Sequence, residues 1–351
     1  MSQALPRLVR RLAVLALGAL AAATPAGAAG ETLRLAIWTN YMPDAVLADF
    51  EKANGCTIEV PWNYSSNDEL LARLEGKDTG FDLAVPSDVI LPALIAGGML
   101  EPLDKAALKN GAYADPAFAK RQADPEGRWT VPYTWGTIGI AWRTDKVKTA
   151  PDSWNAFADA ALAGGNGFLL EEARDVVSAA LLANGKDVNA VDAASLAAAK
   201  ATLLDWRKAI KGFTGETKDH LLTGEAWLLM AYNGDVAQAM QEQPGKFAFA
   251  VPKEGGVLWI DNFVIPKHAP QKGLAHKFID YVLDPKVAAR ISTGIRYALA
   301  NTGVAAHLPD DLKHDAVIYA PDDVKKRLVQ YKDLGADLTK VTDVLTEVRA
   351  K

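Results

Sequence analysis

Hydrophobic residues in this chain form first a single run and then two alternating periods. Leu12 to Ala23 is rich in Leu and Ala, is preceded by Arg7, Arg10 and Arg11, and is followed by Ala26-Gly27-Ala28. A basic segment, a short apolar segment and a small-residue cleavage site predict a secretory signal peptide over residues 1–28. The run is shorter than the roughly 20 residues needed to span a bilayer. No cysteine lies near the cleavage site, so no lipid anchor is expected there and the mature protein is expected free in a periplasm.

Beyond residue 30, short apolar runs alternate with helical periodicity. Thr32 to Trp38 reads as a strand, and Val46, Leu47 and Phe50 mark one face of a helix that Gly55 closes. Thr57 to Val60 is a second strand. Ser66 with Glu69 three residues on is a capping box, opening a helix through Leu70, Leu71 and Leu74. Phe81 to Val85 is a third strand, ended by Pro86. This alternation predicts a parallel sheet with helices on both faces.

A second lobe is expected after Pro132-Tyr133-Thr134. Its strands are Gly139 to Trp142, Gly167 to Leu170 and Ala226 to Ala231. Pro151-Asp152-Ser153-Trp154 reads as a helix start, Ala173 to Leu182 as a helix, and residues 186–211 as an Ala-rich helical stretch. Val257-Leu258-Trp259 and Phe263-Val264-Ile265 are apolar runs flanking Asp261-Asn262, and Gly273 to Leu283 is amphipathic. The expected fold class is α/β, with two lobes and more than one chain crossing. Residues 31–134 and 260–305 form lobe 1; residues 135–259 and 306–351 form lobe 2. About 320 mature residues suit two domains.

Charge narrows the function. The net charge is -5, and the expected leader carries three arginines and no acid, so the mature chain is more acidic still. Nucleic acid and anionic lipid are poor partners for such a surface, and a cation is a good one. Cys56 is the one cysteine, so no intramolecular disulfide forms, and it is expected as a small buried hydrophobe. The five histidines show no metal-ligand spacing, so neither metal nor cofactor is expected.

In open α/β sheets, ligands bind beyond the carboxyl ends of the strands. Trp38, Thr39, Asn40 and Tyr41 follow the first strand; Ser87 and Asp88 follow the third. Glu171, Glu172 and Asp175 cluster after another, as do Tyr232, Asn233 and Asp235, while Trp259 and Asp261 lie at a return crossing. Aromatic plus carboxylate, with no basic residue alongside, is what a protonated amine requires: charge-assisted hydrogen bonds and a cation–π face. Each residue also has a structural reading. Trp38 and Trp259 can fill a core, and Glu171 suits a helix dipole. Asp88 suits a helix N-cap, and Asp235 suits a turn. Asp261, inside an apolar run, resists such a reading. With no nucleophile motif or acid–base pair, a binding protein is expected rather than an enzyme, although an exported carboxylate-dependent hydrolase stays open. So does a protein for another cationic amine or a basic amino-acid derivative. Arg174 is then the nearest carboxylate partner, yet on its helix it is expected to face solvent or pair locally.

Ile37-Trp38-Thr39-Asn40-Tyr41, Phe81-Asp82-Leu83-Ala84-Val85-Pro86-Ser87, Pro252-Lys253-Glu254-Gly255-Gly256, Trp259-Ile260-Asp261 before Ile265-Pro266, and Phe278 to Pro285 resemble the periplasmic putrescine- and spermidine-binding proteins of ABC transporters. The resemblance runs from about residue 31 to the C-terminus. It implies a type II periplasmic-binding-protein fold, a monomer, and an inner-membrane ABC permease as partner. It also implies that Trp38, Tyr41 and Tyr297 are walls, Ser87 a polar contact, and Asp175 an acid that holds an amine. Glu172 would be a second acid of the spermidine type and Asp235 the aspartate of the putrescine type. Trp259 and Asp261 would form the second amine site. Tyr232 stands where Trp is usual, Asn40 where an acid is usual, and Val89 where spermidine-type members carry an aromatic. Asp235 with Val89 favours a putrescine-like diamine, with spermidine still possible. A further contact falls near Gln330 to Lys332 without a fixed position.

Overall fold

The first apolar run folds as its pattern predicts: strand β1 is Thr32–Trp38. The computed structural model describes residues 30–64, 66–76, 79–119 and 123–351, so the expected signal peptide lies outside the described residues. The helix Asp44–Asn54 buries Val46 and Phe50, and Gly55 ends it at φ 63° with its N–H on the Glu51 carbonyl. Strand β2, Thr57–Tyr64, lies parallel to β1 and runs past the expected Val60. Ser66 Oγ accepts the Glu69 N–H at 3.3 Å and caps the helix Asn67–Leu74. Strand β3 is only Leu83–Ala84. Buried Asp82, read as strand, uses its side chain instead, accepting N–H groups from Arg34 and Gln271 at 2.8 Å each.

The sheet is mixed rather than parallel throughout. Strand β4 is Thr130–Arg143, β5 Gly167–Leu170, β6 Ile210–Thr214, β7 Leu228–Tyr232, β8 Phe247–Ala250 and β9 Gly256–Val264. Two short strands follow, β10 Ala298–Leu299 and β11 Leu328–Gln330. The order is β2-β1-β3-β9-β4-β7-β5-β6, with β8 and β10 on β4 and β11 on β9. Parallel sets β2-β1-β3 and β7-β5-β6 are joined through the antiparallel pair β9-β4. Sequence reading broke β4 at Pro132-Tyr133-Thr134, but the strand continues, because the register shifts between Pro132 and Thr134 and a bulge tolerates the missing proline N–H. Likewise Asp261-Asn262 lies within β9. The expected boundaries at 134/135 and 259/260 therefore fall inside continuous strands, and that at 305/306 in the 3₁₀ turn Val304–Ala306.

Three further differences matter. The stretch 186–211 is helical only over Ala193–Arg207, opened by Asp192 accepting the Ser195 N–H, and Ile210 already starts β6. Cys56 is half-buried rather than in the core. The start expected at Ser153 is a 3₁₀ turn, Trp154–Ala158. The helices Ala173–Ala183 and Lys272–Leu283 match expectation. Among the described residues no helix is long and apolar enough to cross a membrane.

Gly136 and Gly234 let aromatic rings lie directly on the backbone. A Cβ at Gly136 on β4 would collide with the Trp259 ring and Asn233 Oδ1; one at Gly234 would collide with the Tyr297 ring. Gly234→Ala is therefore expected to cost about 1–3 kcal/mol through overpacking, measured by urea unfolding, with Gly136→Ala at least as costly.

Candidate ligand-binding site

The ends of β1, β3, β5 and β7 and the middle of β9 converge on a cavity of about 100 Å³. Trp38, Thr39, Asn40, Tyr41, Ser87, Asp88, Glu172, Asp175, Tyr232, Asp235, Trp259, Asp261 and Tyr297 all line it. Two other candidates do not. Glu171 is exposed. Asn233 is buried, accepting from Thr137 N–H at 2.9 Å and donating to the Val317 carbonyl at 2.8 Å.

Asp261 sits on β9 opposite Thr134 of β4 and forms an isolated bridge with Ser87. It is 4% exposed. Tyr41 OH donates to its Oδ2 at 2.6 Å, and Ser87 Oγ donates to Oδ1 at 2.5 Å. Since the single Tyr41 proton goes to Asp261, the Thr134 hydroxyl at 2.6 Å donates to Tyr41. Burial, then the Asp261 charge, hold Tyr41, Tyr64 and Tyr133 well above the usual phenol range, so all three stay protonated donors. Tyr64 OH donates to Val85 O at 2.5 Å, and Trp38 Nε1 donates to the same carbonyl at 2.9 Å. Trp38 is thereby fixed against Tyr64, ring centroids 4.5 Å apart, with part of its surface left to the cavity. Asn40 is exposed at φ 55°, a left-handed conformation that asparagine tolerates well, so turn geometry accounts for its amide.

Asp175 anchors the other wall. Tyr232 OH donates to its Oδ2 and Tyr331 OH to its Oδ1, each at 2.6 Å. Arg174 is buried rather than solvent-facing, its guanidinium 4.7 Å over the Tyr331 ring and Nη2 donating to Asn189 Oδ1 at 2.7 Å. Its Nε and Nη1 have no hydrogen-bond partner, and neither has Trp259 Nε1. Arg174 and Lys218 both line the cavity, so the expectation of carboxylates without basic neighbours is corrected. Asp88 is not an N-cap either: the helix Leu91–Ala96 starts from Ile90 without a side-chain cap, and Asp88 N–H donates to Ile260 O at 2.9 Å.

Glu172 Oε1 accepts the Asn67 N–H at 2.7 Å, and Asn67 Oδ1 accepts the Ser87 N–H at 3.1 Å. Burial, then the neighbouring Asp175 charge, push Glu172 up to about 8. Tyr297 OH donates to Asp235 Oδ1 at 2.7 Å and accepts the Asp235 N–H at 3.1 Å; burial pushes Asp235 up to about 6. Trp259 packs edge-on against Tyr297 and Tyr232, centroids 5.4 and 6.0 Å away. Sequence reading missed Tyr64, Asn67 and residues 215–219, and the contact left without a fixed position near Gln330 to Lys332 falls on Tyr331. Residues 215–219 follow β6, whose first two residues fell in the stretch read as helix and whose remainder was given no element. Among the described residues no group of His, Cys, Asp and Glu is placed to hold a metal ion.

Residues 45–320 match the Bacterial extracellular solute-binding protein family. The chain belongs to that family. The putrescine-binding periplasmic protein PotF of Escherichia coli is 32% identical over 97% of each chain. Spermidine/putrescine-binding periplasmic protein 1 of Haemophilus influenzae is 32% identical over 88% of this chain and 86% of its own. A Listeria monocytogenes protein designated a spermidine/putrescine ABC transporter superposes with a TM-score of 0.85 at 30% identity, over 91% of this chain and 99% of its own. The expected resemblance and the type II periplasmic-binding-protein fold are thus borne out. The family and these relatives are solute-binding transport proteins.

The cavity carboxylates of this solute-binding protein carry a pH signature. Glu172 titrates near 8 when folded against an ordinary 4.5, and Asp235 near 6 against 3.8. Between those values the folded state holds more protons than the unfolded state, so raising the pH removes stability. The melting temperature of ligand-free protein is expected to fall as pH rises from 4.5 towards 8. Glu172→Gln should flatten the part of that curve above about pH 6, as read by calorimetric melts.

Proposed function

We propose that this protein captures a polyamine in the periplasm, a putrescine-like diamine being favoured over spermidine, and hands it to an inner-membrane ABC permease. The observation that carries this reading is Asp261: a buried carboxylate held by hydroxyl donors in a cavity walled by Trp38, Tyr41, Trp259 and Tyr297. An ammonium brought here gains charge-assisted hydrogen bonds, and its alkyl chain lies against flat rings. The names of the Escherichia coli and Haemophilus influenzae relatives support the same class. In this reading residues 1–28 direct export, and the mature protein works as a monomer. Residues 31–134 with 260–305 close against residues 135–259 with 306–351. The hydrogen bond from Asn67 N–H to Glu172 then joins the two lobes. Asp235 and Glu172 balance ligand charge, Ser87, Thr39 and Asn40 frame one end, and Asp88 and Tyr232 complete the lining. Hydrolysis is disfavoured because Asp261 and Asp175 each accept one hydroxyl hydrogen bond on each oxygen and keep further acceptor positions open, which holds negative charge for a cation rather than a transferable proton.

Isothermal titration of ligand-free protein with putrescine, cadaverine and spermidine tests this reading. Binding of at least one is expected, and absence of heat with all three overturns it. Asp261→Asn should cost about 2–5 kcal/mol of affinity, and Trp38→Ala about 0.5–2 kcal/mol, both without loss of the folded state by circular dichroism.

A second reading draws on Arg174 Nε and Nη1 and Trp259 Nε1, buried donors without acceptors around an otherwise acidic cavity. An amine bearing a carboxylate would satisfy them. 4-Aminobutyrate matches putrescine in length with one ammonium replaced; tighter binding of it than of putrescine would favour this reading.

A further inference from the structure

We propose that Glu172 and the Asn67 N–H form a latch across the cavity, one that a bound ammonium tightens and that sets the rate at which ligand leaves. The inference deepens the reading above and rests on it. Asn67 belongs to residues 31–134 and Glu172 to residues 135–259, the two parts taken to close on each other.

Local geometry prepares both halves of the latch. Asn67 is the first residue of the helix Asn67–Leu74, so its N–H has no partner within that helix. Ser66 Oγ is turned to the Glu69 N–H, and Glu172 Oε1 takes the Asn67 N–H at 2.7 Å. Glu172 immediately precedes the helix Ala173–Ala183, yet its side chain makes no capping bond there. The carboxylate leaves its own helix uncapped and acts on the start of another across the cavity, where the helix dipole favours negative charge.

The contact also reaches the carboxylate that would hold an amine. Asn67 Oδ1 accepts the Ser87 N–H at 3.1 Å, and Ser87 Oγ donates to Asp261 Oδ1 at 2.5 Å. Hydrogen bonds thus run from Glu172 through Asn67 and Ser87 to Asp261. Burial, then the Asp175 charge, oppose ionisation of Glu172, and Asp68 adds to this, while hydrogen bonds from Asn67 favour it. Without a cation in the cavity the latch is therefore weak. An ammonium among these carboxylates offsets their repulsion, lets Glu172 ionise and converts the latch into a charge-assisted hydrogen bond.

Proline at a first helical position removes the N–H at little cost. Ser66 already has the extended conformation, φ -143° and ψ 152°, that a residue before proline adopts. Stopped-flow release of putrescine, followed by tryptophan fluorescence, then compares Asn67→Ala, which keeps the N–H, with Asn67→Pro, which loses it. Where wild type takes only spermidine, that amine replaces putrescine. Asn67→Pro should release ligand about tenfold or more faster than Asn67→Ala. The difference should vanish when each is combined with Glu172→Ala. If the two Asn67 variants release at the same rate, or if their difference persists beside Glu172→Ala, the latch falls while the polyamine reading stands. Should Asn67→Pro not fold by circular dichroism, Glu172→Gln against Glu172→Ala carries the test. Gln keeps an acceptor oxygen and should release ligand at least threefold more slowly than Ala; equal rates overturn the latch. Wild type that takes neither amine in titration calorimetry overturns the polyamine reading and this inference with it.

Discussion

A carboxylate buried in the middle of a sheet organises this protein. Asp261 lies on β9, the strand that joins the two parallel sets through β4, and water barely reaches it. Burying such a charge without partners is prohibitively costly. The surrounding side chains follow from that constraint: Tyr41 comes from the loop after β1, Ser87 from the end of β3, and Thr134 from β4 directly opposite. Because the donors are hydroxyls, the negative charge is stabilised but not neutralised. A protein that had paired Asp261 with an arginine would have gained a structural ion pair and lost the uncompensated negative charge in the cavity.

The aromatic walls obey a second constraint, close packing against backbone. Trp259 lies over Gly136 and Tyr297 over Gly234, so the rings are fixed by contact and by T-shaped packing on one another. Arg296, in the left-handed conformation at the end of the helix Pro285–Ile295, turns the chain so that Tyr297 points back at Asp235. Rigid rings and pre-oriented phenols keep the entropy cost of capture low, which is how a small cavity attains affinity without large buried area. The two ends differ in electrostatic character. Around Asp261 the partners are neutral, whereas around Asp175 a guanidinium shares the site.

Much of this was legible from local pattern. The strand-end rule located the Trp38 to Tyr41 segment, Ser87, Tyr232 and Asp235, because a carboxyl end of a strand is identifiable from the apolar run before it. Asp261 stood out because a charge within an apolar run has no bland explanation. The same rule misplaced the sheet. Pro132 and Asp261 were taken as interruptions, yet each sits inside a strand, one accommodated by a bulge and the other by hydroxyl donors from distant segments. Arg174 was expected to face solvent or pair locally, since helical position alone does not reveal that residues 189 and 332 fold back over it.

The sequence by itself determined the α/β class and the aromatic-and-acid chemistry, because these depend on residue type and on periods of two and 3.6 that neighbours in the chain express; the family followed from the resemblance of its motifs. Tertiary structure alone decided how each carboxylate is partnered. Tyr331 reaches Asp175 across 156 positions and Asn67 reaches Glu172 across 105. No local signal carries such contacts: a carboxylate's availability depends on what surrounds it, and that is set by where the strands converge.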